Sequence, residues 1–329
     1  MKILGIGNAI VDILSRCDDK LLEALNLEKG TMQLVDTVRS QEIYQHVGPS
    51  IEISGGSVAN SCALMGQLGA EVGFLGNIND DMFGKIFHHD LTSLGVNNIT
   101  HPKTQSEPTA SSIVLVTPDA QRTMCTHLGC AGLIDHKVTD EDLENVGLLY
   151  LEGYLFDSPS ALDVMKDCIE KVKAQGGKIA LSLSDPFCVE RHHDAFWDLI
   201  SSEDHGVDIL FANEVETYSL FNIDAKNPEL LKKCETMSIL LFSTHGSEGI
   251  HIFSTSGYAH VPAYPVTDVL DTTGAGDAFA GGVLTGISQN QNPVSAAKLG
   301  AYCASAVIGQ LGARIQENIH QAAREKGLL

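Results

Sequence analysis

Short apolar runs alternate, along nearly the whole chain, with longer stretches in which apolar positions recur every three or four residues. The runs at 3–6, 71–75, 148–151, 178–182, 208–211, 239–243 and 249–253 are too brief for helices and predict core strands. Between them, 57–68, 161–175 and 277–288 carry helical spacing. Gly69, Gly95 and Gly176 stand at or near helix ends, where a left-handed residue commonly closes the last turn. This alternation predicts a layered α/β fold with a mostly parallel central sheet. Two stretches depart from the rhythm. Residues 8–18 with 31–36, and 106–128, read as strands rich in Thr, Ser and Val without long helices between them. They suit a small second sheet, which we expect to act as a lid over a substrate. No repeat, low-complexity tract or Pro/Ser-rich linker interrupts 1–329, so one domain carrying a lid is expected.

Composition narrows the partners. The 329 residues are 43% hydrophobic, enough for a large core. Asp and Glu number 42 against 21 Lys and Arg, a net charge of -21, which disfavours nucleic acid and anionic membrane as partners. A small phosphate ligand is still compatible, since a helix N-terminus binds phosphate locally. The apolar start is interrupted by Gly5, Gly7, Asn8 and Asp12, and reads as a first strand and glycine turn rather than a signal peptide. No apolar run reaches the roughly 18 residues of a membrane span. The eight cysteines form no C-x-x-C pair, and the nearest two, Cys125 and Cys130, lack histidines at zinc spacing. Reduced thiols and a cytoplasmic location are expected.

The strongest chemical signal is Asp271-Thr272-Thr273-Gly274-Ala275-Gly276-Asp277, running from a loop into a helix and followed by Ala278-Phe279-Ala280-Gly281-Gly282. Gly274 and Gly276 can turn successive N–H groups toward one anion, and the helix dipole adds positive charge there. Asp277 then places a carboxylate beside that anion, an unfavourable pairing unless a proton acceptor is needed. A general base fits; a plain helix cap is the alternative for Asp277 alone, and the two glycines with Asp271 favour the base. No G-x-x-x-x-G-K-[S/T] occurs around Gly84-Lys85, and Gly5-Ile6-Gly7 does not extend to G-x-G-x-x-G. A P-loop NTPase and a dinucleotide-binding dehydrogenase thereby lose their main support.

The 271–282 segment resembles the C-terminal signature of the ribokinase-like (PfkB) carbohydrate kinases, and the resemblance covers nearly the whole chain. Gly55-Gly56-Ser57-Val58-Ala59-Asn60, with Leu64 and Leu68-Gly69, is similar to the N-terminal signature. Gly7-Asn8 with Asp12, Asn213-Glu214-Val215-Glu216, and Thr244-His245-Gly246-Ser247-Glu248-Gly249 match three further elements in the expected order. The resemblance implies a three-layer α/β/α sandwich with a β-sheet lid, and an ATP-dependent kinase that phosphorylates a hydroxymethyl group. It implies Asp277 as catalytic base, with the N–H groups of Gly274, Ala275, Gly276 and Asp277 forming an anion hole. Asp12, Gly55, Gly56 and Asn60 would bind substrate hydroxyls, although a tight bend at the glycines and a capping Asn60 are the bland readings. Asn213 and Glu216 would organise Mg²⁺ through water, with a solvated Glu216 as the alternative. Thr244, Gly246 and Gly249 would face ATP, with 309–314 closing the adenine side. His245 is expected to be a packing residue. Asp271 and Thr273 resemble part of a monovalent-cation site, with K⁺ the candidate. Family members leave their lids open or pair them with another subunit's, so a homodimer is a candidate assembly.

Within the family the chain resembles the adenosine kinases, through 180–187, 207–214 and Thr126-His127-Leu128-Gly129-Cys130-Ala131. Leu128 would pack on a nucleobase, with Leu155 and Phe156 as the opposite wall. Gln33 falls where that subgroup tends to carry an aliphatic residue, and Glu152 adds a carboxylate at a strand end where sugar kinases bind extra hydroxyls. Glu152 could instead serve a salt bridge. A nucleoside kinase is therefore the first reading. A kinase of ribose, fructose or a sugar acid is the second, and a catalytically silent sugar- or nucleotide-binding regulator the third.

Overall fold

The computed structural model describes residues 1–100, 104, 106–119, 121–134, 138–202 and 206–329. Residue 120, inside the expected lid segment 106–128, lies outside the described residues. Among the described residues the strands are β1 (Lys2–Ile6), β2 (Ile10–Arg16), β3 (Met32–Leu34), β4 (Ser50–Gly55), β5 (Val72–Leu75), β6 (Asn97–Asn98) and β7 (Ala110–Val116). They continue with β8 (Arg122–His127), β9 (Val146–Glu152), β10 (Lys178–Ser182), β11 (Ile209–Asn213), β12 (Leu240–Thr244), β13 (Ile250–Ser254) and β14 (Gly257–Val261).

The large sheet has the order β14-β13-β12-β11-β10-β9-β1-β5-β6. It is parallel from β12 to β6, and β13 and β14 close its other edge as antiparallel strands. Its core strands are apolar on both faces, as parallel strands buried between helices must be. Leu4, Leu149, Leu151, Ile179, Leu181, Leu210 and Leu241 pack on one side with helices Pro159–Ala174, Pro186–Arg191, His193–Ser201, Glu214–Phe221 and Pro228–Met237. Their alternating neighbours Ile3, Leu148, Tyr150, Ala180, Ile209 and Phe242 pack on the other with Ser57–Gln67, Met82–Ser93, Ala275–Ser288 and Pro293–Ile308. The expected α/β/α layering is therefore a direct product of strand periodicity.

The second sheet has the order β3-β8-β7-β2-β4 and takes in the expected segments. Strand β4 was not anticipated. One face of this sheet buries Ile13, Ile113 and Cys125 against Leu22 and Ile43 of helices Asp19–Ala24 and Thr37–Tyr44. On the other face, cross-strand register aligns Ile53, Asp12, Ser112, Thr126 and Leu34 in one row. Helix Pro159–Ala174 starts two residues before the expected 161, because Ser158 caps it, its Oγ accepting from Ala161 N, and Pro159 occupies the first turn. Gly69, Gly95 and Gly176 have φ of 80°, 85° and 79°, as helix-closing residues should. Among the described residues no helix is long and apolar enough to cross a membrane.

Candidate active site

Strands β9, β11 and β12 end on Glu152, Asn213 and Thr244, and Asn213 lies directly beside Thr244 in register. The carboxyl ends of parallel strands are where open α/β sheets place ligands. Helix Ala275–Ser288 enters from the same side. Gly274 is its N-cap at φ 75°, and a side chain there would begin 2.6 Å from Ala313 Cβ. Gly276, in contrast, faces open space. Ala275 N donates to Thr272 O at 3.2 Å, so this N–H, expected in the anion hole, is already engaged, and the anion-binding capacity of the turn rests on its other N–H groups.

Asp277 is half-buried in that turn. Its Oδ1 accepts from Ser57 Oγ at 2.7 Å and its Oδ2 from Asn60 Nδ2 at 2.9 Å. Ser61 Oγ donates to the Asp277 carbonyl at 2.9 Å. Helix Ser57–Gln67 can come this close because residue 281 is glycine, whose missing side chain would begin 2.9 Å from Ser61 O. Burial raises the Asp277 pKa, while the Ser57 and Asn60 bonds and the Arg314 charge oppose the rise. A carboxylate held at both oxygens, with a raised pKa, is a fitting proton acceptor.

Asp12 projects from β2 onto the Gly55-Gly56 turn. A side chain at Gly55 would begin 2.3 Å from Asp12 Oδ2. Gly56 has φ 97°, and a side chain there would begin 2.2 Å from Asn8 O, so only glycine fits. Burial pushes the Asp12 pKa to about 6, opposed by Arg314, reinforced by Asp277 and opposed again by Arg122. The structure therefore brings Asp12, Gly55, Gly56, Asn60 and Asp277 together.

Glu152 is fully buried at the end of β9. Its Oε1 accepts from Asn8 Nδ2 at 2.7 Å and Asn8 N at 3.3 Å, and its Oε2 accepts from Val58 N at 3.0 Å. Burial pushes its pKa to about 7 against these bonds. Both oxygens thus hold the Gly7-Asn8 turn and the start of helix Ser57–Gln67.

At the end of β11, Asn213 and Glu216 form a reciprocal cap. Asn213 N and Nδ2 donate to the Glu216 carboxylate at 2.9 and 2.7 Å, and Glu216 N donates to Asn213 Oδ1 at 2.8 Å. Burial, then the charges of Asp185 and Asp277, push the Glu216 pKa to about 7 against the Asn213 bond. Thr244 ends β12, Gly246 and Gly249 have φ of 53° and 96°, and His245 N donates to Gly249 O at 2.8 Å to close the turn. His245 itself is buried, its Nε2 3.0 Å from Ser243 Oγ.

The second sheet contributes an arginine that the sequence did not single out. Arg122 of β8 pairs with the Asp271 carboxylate, which also accepts from Thr273 N at 2.9 Å and Gly312 N at 2.8 Å. The signal available was a lone arginine beside Thr, Met and Cys in β8. Segment 309–314 meets the 271–277 loop through Gly312 and Ala313, while Arg314 turns inward to Ser54 and Ala59. Gln33 is not brought to the others: it pairs with Cys125 in the row facing the helix-covered side of the second sheet. Met32 and Leu34, on the Asp12 side, are exposed aliphatics instead. Leu128 is exposed at the end of β8, whereas Leu155 and Phe156 lie in the main core, with Phe156 stacked 4.0 Å from Phe196.

Residues 32–319 match the family described as pfkB family carbohydrate kinase. A probable sugar kinase protein from Rhizobium etli CFN 42 is 36% identical, with 100% of this chain and 99% of that one covered and a TM-score of 0.90. Adenosine kinase from Sinorhizobium meliloti is also 36% identical, with 99% of both chains covered and a TM-score of 0.88. Adenosine kinase 2 of Arabidopsis thaliana is 24% identical over 340 residues, 96% of each chain. The family match spans most of the sequence and the shared fold its full length, so this chain belongs to the pfkB family of carbohydrate kinases and is an ATP-dependent kinase that phosphorylates an alcohol group.

Proposed function

We propose that this chain transfers the γ-phosphoryl group of ATP to the 5′-hydroxyl of a nucleoside, adenosine first among the candidates, with Asp277 as the base. The observation that carries this reading is the Asp277 carboxylate, fixed by Ser57 and Asn60 at a glycine-rich helix N-terminus. As the acceptor oxygen bonds to the γ-phosphorus, its proton passes to Asp277 and the bond to the β-phosphate oxygen breaks, releasing ADP. The N–H groups of Gly274, Gly276 and Asp277 would stabilise the transferred group's negative charge, Ala275 N being bonded to Thr272 O instead. Asp12 and the Asn60 amide oxygen would hold substrate hydroxyls on the other side of the base.

The family implies ATP and a divalent metal. We take the metal to be Mg²⁺, which supplies charge neutralisation at the phosphates when bound. The Glu216 and Asn213 pair suits an ion that keeps most of its waters, and among the described residues no group of three or more His, Cys, Asp or Glu is arranged to grip a metal directly. A K⁺ ion at Asp271 and Thr273 would rely on backbone carbonyls, since Arg122, Thr273 N and Gly312 N already occupy the Asp271 carboxylate. Exposed Met32, Leu34 and Leu128 offer an apolar surface for a nucleobase. A cytoplasmic location, suited by eight free cysteines, and a homodimer belong to the same reading.

One observation favours the sugar kinase reading. Ser112 Oγ and Thr126 Oγ1, 2.9 Å apart, share the row of Asp12 and offer hydroxyl partners to a more polar acceptor. ADP release with Mg-ATP across adenosine, guanosine, inosine, ribose, fructose and 2-keto-3-deoxygluconate separates the two. Preference for adenosine supports the nucleoside reading, and preference for a free sugar overturns it while keeping the chemistry. No turnover on any of these acceptors would point to an acceptor outside this set, or to the silent binder.

A further inference from the structure

Arg314 is separated from Ser54 by 260 positions, yet its guanidinium spans both sides of the Gly55-Gly56 turn. Its Nε donates to Ser54 O at 2.9 Å, one terminal nitrogen to Ala59 O at 3.0 Å and the other to Ser54 Oγ at 3.0 Å. It is 7% exposed. Ser54 immediately precedes the glycine on which Asp12 rests, and Ala59 immediately precedes Asn60, which orients Asp277. Fixing these two backbone oxygens therefore fixes the supports of both carboxylates. All three hydrogen bonds go to neutral oxygens, so the positive charge is not consumed by a single ion pair. It acts on several carboxylates at once in a poorly solvated place.

We propose that Arg314 is a positioning residue: it holds the Gly55-Gly56 turn in place for Asp12 and Asp277 and sets a buried positive charge behind that turn. This role rests on Asp277 being the base. Arg314 lowers the pKa of Asp12 and of Asp277 against burial, and burial brings its own down to about 10. The groups around it set the background for any pH effect. Arg314 faces Asp12, Asp90 and Asp277 and the Cys62 thiol. Asp277 also acts on Glu152, Glu216 and the phenols of Tyr150 and Tyr154, and Arg122 is the second cation at Asp12. A buried cation among so many acids is what allows two of them to work as anions near neutral pH.

Two substitutions separate charge from shape. Arg314→Gln keeps one amide donor at the turn but removes the charge, and Arg314→Lys keeps the charge but loses the fork. The pH profile of kcat/KM is recorded for both and for the wild type on its best acceptor. Arg314→Gln is expected to move the acid limb up by about one pH unit, the scale of losing one nearby opposite charge. Arg314→Lys is expected to keep the limb in place and to raise KM for the acceptor by about tenfold, a loss near one hydrogen bond to a charged group. Limbs that coincide with the wild type in both variants would overturn the proposal. So would failure of both to show a cooperative melt, which would assign Arg314 to the fold alone. Absence of turnover by the wild type would instead sink the kinase reading itself, and the two failures cannot be confused.

Discussion

Asn60 Nδ2 donates to Asp277 Oδ2 at 2.9 Å, joining residues 217 positions apart across two packed helices. The other end of the same amide, Asn60 Oδ1, is buried without a hydrogen-bond partner among the described residues. An orphaned buried oxygen is costly, and such cost is most often met at functional sites. On the proposed mechanism, one side chain would orient the base through its nitrogen while its oxygen accepts from a substrate hydroxyl.

Replacing Asn60 by Ala removes a bond to an ionised group, worth about 1.5–3 kcal/mol, so kcat/KM should fall by about 10- to 100-fold. The acid limb of the profile should also rise, because Asn60 opposes the raised pKa of Asp277. Steady-state kinetics between pH 5 and 9 check both. An unchanged kcat/KM would remove Asn60 from the site.

Arg122 and Asp271 are both largely buried, with side-chain exposures of 11% and 2%. Removing one member of a buried pair costs about 3–5 kcal/mol by leaving the other uncompensated. Arg122→Met should lower the melting midpoint and speed hydrogen exchange in β7 and β8, since the pair joins the second sheet to the 271–277 loop. Exchange in those strands equal to the wild type would show that the pair does not anchor them.

Much of the fold was legible because strand and helix periodicities differ and the core strands are uninterrupted apolar runs. The site was legible where glycine spacing carries geometry, at 55–56 and 274–276. What escaped depends on chain segments meeting from afar. Arg314 reaches Ser54 and Ala59, and Arg122 reaches Asp271, neither of which a local pattern encodes. Gln33 shows the cost of placing a residue without knowing register, because a one-residue change of phase sends a side chain to the other face. Strand β4 escaped for a different reason: only two apolar residues, Ile51 and Ile53, alternate with Glu52 and Ser54, and the Gly55-Gly56 pair that follows reads as a bend.

Glu152 makes a pH prediction for stability. Its pKa rises from 4.5 to about 7 on folding, so the folded state binds the proton more tightly. The resulting stabilisation is fully present below the unfolded value and is lost as pH rises through about 7. Glu152→Gln should therefore flatten the decline in melting temperature between pH 4.5 and 7. A decline as steep as the wild type's would mean that Glu152 does not titrate there.

The most direct test is Asp277→Asn, assayed for ADP release alongside calorimetric binding of Mg-ATP and the acceptor. A base at this position predicts kcat lowered by about 10²–10⁴ with both ligands still bound. Near-normal turnover in the folded variant would contradict the assignment and return Asp277 to the role of a helix cap.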